Sequence, residues 1–219
     1  MSRLFTAVPV KDLMSAKQRL IPALEPAERR DLAAAMLEDV LDALAATDAL
    51  DVHLVTRDPE ILALAWRRGL PCLTESANRG HTEAVAVAQA EAARRGAEAF
   101  LTIPGDVPCT TPDEVLALVA TAGAPGVTFV PSRSGFGTNA ALLSPVDIMP
   151  LKFGEPSFAN HLDAARARGL APRVLTLAGV GLDVDGPEDL RLLLAHGAST
   201  RAGRLCRALG LAERLPASR

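Results

Sequence analysis

Apolar positions along the chain alternate between short runs of β type and longer stretches with helical spacing. Leu4–Val10 is a nearly continuous apolar run, as a buried strand requires. After Pro26, apolar side chains recur at Leu32, Met36, Leu37, Val40, Leu41 and Leu44, which is one face of a helix. The same reading predicts strands over Asp51–Thr56, Leu70–Glu75 and Ala99–Pro104. It predicts helices over Pro59–Arg68, His81–Arg95 and Pro112–Thr121, with Gly69 and Gly96 as stops. Strands alternating with helices mark a parallel sheet. The pattern then changes. Gly126–Pro131 and Asn139–Leu143 read as strands joined by the Gly-containing loop SRSGFGT. A helix over Pro156–Arg168 follows, then strands over Arg173–Leu177 and Val180–Val184, and helices over Pro187–His196 and Ser199–Leu209. The expectation is an α/β fold: one domain over residues 1–219, with a mixed, mostly parallel sheet flanked by helices.

Composition narrows the function classes. The 219 residues are 49% hydrophobic and 22% charged, with a net charge of −3. So balanced a charge argues against nucleic acid as a partner. No apolar run is long enough for a membrane span, and the N-terminus lacks a signal-peptide pattern. Cys72, Cys109 and Cys206 are far apart and show no zinc spacing, which fits a reduced, cytoplasmic protein. Of the 23 basic residues, only Lys11, Lys17 and Lys152 are lysines. A lysine is a compact point charge, unlike the planar arginine fork, so its placement carries information.

Open α/β sheets bind ligands beyond the carboxyl ends of their strands. Asp106, in IPGDVP, falls at such an end and is either a Mg²⁺ ligand or a turn or cap residue. Asp183 and Asp185, in LDVDG, share one side if the segment is a strand. Two carboxylates so placed favour a cation between them, although Asp185 also suits a cap for the helix from Pro187. Lys11, Lys17 and Arg19 crowd the loop after the first strand, which has neither common glycine-rich phosphate motif. They are candidates to neutralise phosphates by side-chain charge, or else a solvated basic turn. Thr138 and Asn139 end the glycine loop. Lys152, Gly154 and Ser157 lead into a helix whose N-terminus attracts anions. The four histidines have no ligand spacing and read as packing or surface residues, with His81 the exception to watch.

Six segments together resemble one family. They are VPVKDLMSAKQRL (Val8–Leu20), AAAMLEDVL (Ala33–Leu41), IPGDVPCTTPDEV (Ile103–Val115), GFGTNAALLSP (Gly135–Pro145), FGEPSFANHLDAA (Phe153–Ala165) and LDVDGPEDL (Leu182–Leu190). In this order they resemble the guanylyltransferases of the deazaflavin coenzyme F-420 pathway, which activate 2-phospho-L-lactate, phosphoenolpyruvate or 3-phospho-D-glycerate with GTP. The resemblance implies a nucleotidyltransferase sheet of the glycosyltransferase-A type and a homodimer. It implies Mg²⁺ on Asp106, Asp183 and Asp185. It implies acceptor contacts at Thr138, Asn139, Lys152, Gly154 and Ser157, and catalytic cations at Lys11, Lys17 and Arg19. The base pocket would lie near Glu75–Glu83, with Asn78 and Gly80. There SANRGHTEAV departs from the family's small-residue pattern.

Guanylyl transfer needs positioned charge more than a strong base, because the attacking phosphate is already an anion. The lack of a convincing catalytic histidine fits that chemistry. Two alternatives stand beside it: transfer from CTP or UTP to a sugar phosphate, and a non-catalytic GTP-binding protein on the same fold. The Arg201, Arg204 and Arg207 face near the C-terminus reads as solvated.

Overall fold

The computed structural model describes residues 4–13, 17–74 and 80–215. Its strands are β1 (Leu4–Pro9), β2 (Leu50–Val55), β3 (Cys72–Leu73), β4 (Phe100–Thr102), β5 (Gly126–Pro131), β6 (Thr138–Ser144) and β7 (Arg173–Val174). They form one sheet in the order β3-β2-β1-β4-β6-β5-β7. β6 pairs antiparallel with both β4 and β5, whereas the other pairings are parallel. Only β6 therefore runs against the rest, and its beginning, rather than its end, reaches the edge where β1 and β4 finish.

The helices are α1 (Pro26–Ala45), α2 (Pro59–Arg68), α3 (His81–Arg94), α4 (Pro112–Val119), α5 (Ser157–Arg166), α6 (Pro187–His196), α7 (Arg201–Ala208) and α8 (Leu211–Arg214). They cover both faces of the sheet. On one face Leu4 and Val8 of β1 join a core built with α1, α2, α4, α6 and α7. On the other face Phe5 and Ala7 join α3, α5, Phe100 and Phe129. Successive β1 residues thus feed opposite cores, which is why this strand reads as continuously apolar.

Local chemistry sets several boundaries. Asp58 caps α2, its Oδ1 accepting from Glu60 N–H at 2.8 Å and Ile61 N–H at 3.2 Å. Its Oδ2 also accepts from Leu13 N–H at 2.8 Å, which ties the loop after β1 to that helix. Thr111 and Glu114 form a capping box on α4.

Some expected elements differ. The strand expected over Leu70–Glu75 is only Cys72–Leu73, with Glu75 outside the described residues. Arg173–Leu177 shortens to Arg173–Val174. Val180–Val184 is not a strand at all. Its backbone is held piecemeal: Arg133 N–H donates to Gly181 O at 2.7 Å, Val184 N–H to Asp106 O at 3.1 Å, and Asn139 Nδ2 to Val180 O at 2.9 Å. Gly179 enforces this path, since a Cβ there would sit 2.1 Å from Cys109 O. Its N–H instead donates to Glu114 Oε1 at 2.7 Å.

Candidate active site

Loops at the ends of β1 and β4 and the beginning of β6 converge on one edge of the sheet. Two adjoining hollows of about 400 and 390 Å³ lie there, and both are lined by Pro9, Val10, Lys11 and His81. The first adds Arg57, Asp58, Glu60 and Gly80. The second adds Lys17, Arg19, Asp106 and Asp185. Lys11 and Arg19 are exposed, while the Lys17 side chain is only 7% exposed.

Lys17 forms the centre of the charged side. Its Nζ donates to Asp106 Oδ2 at 2.6 Å and to Asp185 Oδ1 at 2.8 Å. Among the described non-glycine residues only Lys17 has a positive φ, at 56°. The backbone accepts this uncommon conformation where the side chain meets two carboxylates. Burial opposes charge on the ammonium, but Asp106 and Asp185 outweigh it and raise the pKa above the ordinary lysine value. Asp106 shows the reciprocal effect: burial alone would raise its pKa, and Lys17 pulls it below the usual value.

Asp183 comes close by another route. Asp183 and Asp185 do not share a strand face as the sequence spacing predicts, because no strand forms there. Asn139 Nδ2 donates to Asp183 Oδ1 at 3.0 Å and holds that carboxylate in place. Burial raises the pKa of Asp183 and the charges of Asp106 and Asp185 raise it further, against the hydrogen bond from Asn139. Asp185 does not cap the helix that follows. Gly186 holds that position, and Asp189 Oδ2 accepts from the N–H groups of Asp185 and Gly186. Asp106 caps no helix either. Among the described residues no three His, Cys, Asp or Glu side chains are disposed as a ready metal cluster. The donor set nonetheless fits a hard divalent cation. Asp106 and Asp185 meet at the Lys17 ammonium, Asp183 lies near enough to feel both of their charges, and carboxylate oxygens are the donors such a cation takes.

The second side of the site is neutral. Thr138 opens β6, and its N–H donates to Ser157 Oγ at 2.9 Å. Ser157 donates in turn to Thr138 Oγ1 at 3.3 Å, so it neither caps α5 nor stands free. Gly154 sits beside them with φ 110°, a value that glycine adopts without strain. The Lys152 side chain is exposed, and its backbone N–H donates to His161 Nε2 at 3.0 Å. Asn139 faces Asp183 and Val180, so it positions a carboxylate. Gly80 begins α3 at the first hollow, while Asn78 lies outside the described residues.

In the sequence His161 reads as a packing or surface residue. It is buried, but both of its ring nitrogens are bonded within the Thr138 side of the site. His81, the expected exception, lines both hollows, and burial pushes its pKa down to about 4, with Asp106 opposing and Lys11 assisting. His53 does pack, stacked on Phe5 with centroids 4.1 Å apart. The arginine face near the C-terminus is engaged with its own chain: Arg201 pairs with Asp42, and Arg207 donates to Ala198 O.

This strand order, with helices on both faces, a cationic loop after β1 and Asp106 after β4, is that of a nucleotidyltransferase-like α/β fold. A solved structure from Desulfovibrio desulfuricans G20, assigned as a nucleotide-diphospho-sugar transferase, superposes with a TM-score of 0.81 at 16% identity, covering 100% of both chains. A 4-diphosphocytidyl-2C-methyl-D-erythritol synthase gives 0.62 at 14% identity, over 88% of this chain and 98% of its own. At such identities these neighbours establish the fold alone. Sequence relatives narrow the assignment. Residues 4–218 match the family described as "Guanylyl transferase CofC like". A phosphoenolpyruvate guanylyltransferase of Sphaerobacter thermophilus is 44% identical, over 86% of this chain and 91% of that protein. A 2-phospho-L-lactate guanylyltransferase of Methanothermobacter thermautotrophicus is 36% identical, over 92% and 89%. The chain belongs to the family of CofC-like guanylyl transferases.

Proposed function

We propose that the protein transfers GMP from GTP to a small phosphorylated carboxylic acid and releases pyrophosphate, as a step of coenzyme F-420 biosynthesis. The observation that carries this reading is the meeting of two unlike surfaces at one sheet edge. The cationic hollow of Lys11, Lys17 and Arg19 suits a triphosphate, and the neutral Thr138–Ser157 pair beside Gly154 suits the acceptor's phosphate. In this reading the hollow at Gly80 and His81 takes the nucleoside, with Asn78 close by in sequence.

Asp106, Asp183 and Asp185 would hold Mg²⁺, which when bound neutralises and polarises phosphate oxygens at the α-phosphorus. Lys17 and Lys11 offset the charge that gathers on the leaving pyrophosphate. Thr138 and Ser157 orient the acceptor so that its oxygen attacks in line, opposite that leaving group. Positioning and charge compensation carry the rate, and no strong base is required. The acceptors named for the relatives, phosphoenolpyruvate and 2-phospho-L-lactate, are the first candidates here. A cytoplasmic homodimer completes the proposal. The compartment is supported by three free cysteines and by the lack, among the described residues, of a helix able to cross a membrane. The homodimer rests on the family resemblance.

A matrix of nucleotides and acceptors tests the reading. Purified protein with Mg²⁺ is given GTP, CTP or UTP against phosphoenolpyruvate, 2-phospho-L-lactate and 3-phospho-D-glycerate. Pyrophosphate and product mass are then recorded. Turnover with GTP and one of these acids is expected. Turnover only with CTP or UTP, or GTP binding with no turnover on any acceptor, overturns it.

A further inference from the structure

His161 has no part in the mechanism above, yet its contacts are those of a site residue. It is 2% exposed, stacked on Phe129 with centroids 5.2 Å apart and met edge-on by Phe153 at 5.1 Å. Lys152 N–H donates to Nε2 at 3.0 Å, so Nε2 carries no proton. The proton is on Nδ1, which lies 2.9 Å from Thr138 Oγ1 and donates to it. Thr138 Oγ1 also accepts from Ser157. A hydroxyl oxygen has two lone pairs and one hydrogen. Both lone pairs of Thr138 are thus engaged, and its hydrogen has no acceptor among the described residues.

We infer that His161 is a positioning residue: by filling a lone pair of Thr138 Oγ1, it commits that hydroxyl to donate to the acceptor's phosphate. This rests on the reading of Thr138 as an acceptor contact. A hydroxyl free to rotate offers a ligand either its hydrogen or its oxygen. One with both lone pairs engaged offers only the hydrogen, and so favours an anion over a group that donates. The ring also joins the two acceptor segments, because the backbone N–H that it receives lies two residues before Gly154. Burial pushes the His161 pKa down to about 4, so the same neutral tautomer holds at neutral pH.

Three variants separate direction from bulk. His161→Asn keeps a donor near the Nδ1 position. His161→Gln keeps an acceptor near the Nε2 position and loses that donor. His161→Phe keeps the ring and loses both. With GTP and phosphoenolpyruvate, Gln and Phe should raise the acceptor KM about tenfold or more, as loss of a hydrogen bond to a charged ligand does. The KM for GTP should stay within about twofold, and Asn should fall nearest the parent enzyme. In a Thr138→Val background, His161→Phe should add little, because both changes remove one interaction. Additive losses, equal losses for Asn and Gln, or an unchanged acceptor KM overturn the inference. If Thr138→Val alone leaves the acceptor KM unchanged, the reading of Thr138 falls and the positioning role falls with it. If Thr138→Val raises that KM and the His161 variants do not, only the positioning role falls. The order of Asn and Gln decides the matter even where His161→Phe does not fold.

Discussion

The two sides of the site fix their polar groups by different means. Where β1 and β4 end, formal charge does it: Lys17 bridges Asp106 and Asp185, and each sign stabilises the other. Where β6 begins, neutral groups do it: Thr138, Ser157 and His161 hold one another in set donor and acceptor roles. Coulomb attraction is tolerant of angle and acts over several ångströms, whereas a hydrogen-bond chain depends on direction. The charged side should therefore respond to a change of charge, and the neutral side to a change of hydrogen-bonding pattern at constant charge.

The largest break expected is Asp106→Asn, which keeps the shape and deletes the charge. Turnover should fall at least about 10²-fold, read as pyrophosphate release at saturating substrates. A rate near that of the parent would remove Asp106 from the chemistry. Lys17→Arg is the sharper test of the same side, because charge is kept while a point charge becomes a planar fork. About a tenfold loss of kcat is expected, and full activity would mean that charge alone suffices. The smallest effect concerns stability on the neutral side. The buried imidazole of His161 resists protonation down to about 4, against 6.5 ordinarily. Between those values the unfolded chain binds a proton that the folded chain refuses. Stability from this source is complete above the ordinary value and is lost as pH falls through the window. Urea midpoints at pH 7 and pH 5 should therefore differ less in His161→Phe than in the parent. An unaltered difference would show that His161 does not supply the slope.

Most of the scaffold was legible in the sequence, because period-2 and period-3.6 patterns report directly which faces are buried. Asp106 stands out in the sequence because a carboxylate just past an apolar run has few structural uses, and Lys17 because two of only three lysines lie in the loop after the first strand. The strand over Val180–Val184 was misread. Its apolar residues are buried, as the pattern suggests, but Gly179 and Gly181 turn the backbone, and loop backbone and the Asn139 side chain satisfy its polar groups instead of a strand ladder. Asp183 still reaches the site, held by Asn139, a residue that reads in sequence as an acceptor contact. His161 was missed for a different reason. Its partners are 9 and 23 residues away and neutral, so no spacing rule brings them together. The reversed course of β6 brings Thr138 to the ring, and the loop before α5 brings the Lys152 N–H.

That reversal has an evolutionary side. A strand entering the site by its first residues is fed by the hairpin loop before it. The other acceptor segment, from Lys152 to the start of α5 at Ser157, is likewise mostly a connection between elements. Residues on such connections accept substitution and small length changes more readily than the paired strands behind them. The acceptor side can thus drift while the sheet behind it is kept. Relatives named for phosphoenolpyruvate and for 2-phospho-L-lactate, at 44% and 36% identity to this chain, are the outcome that such an arrangement permits.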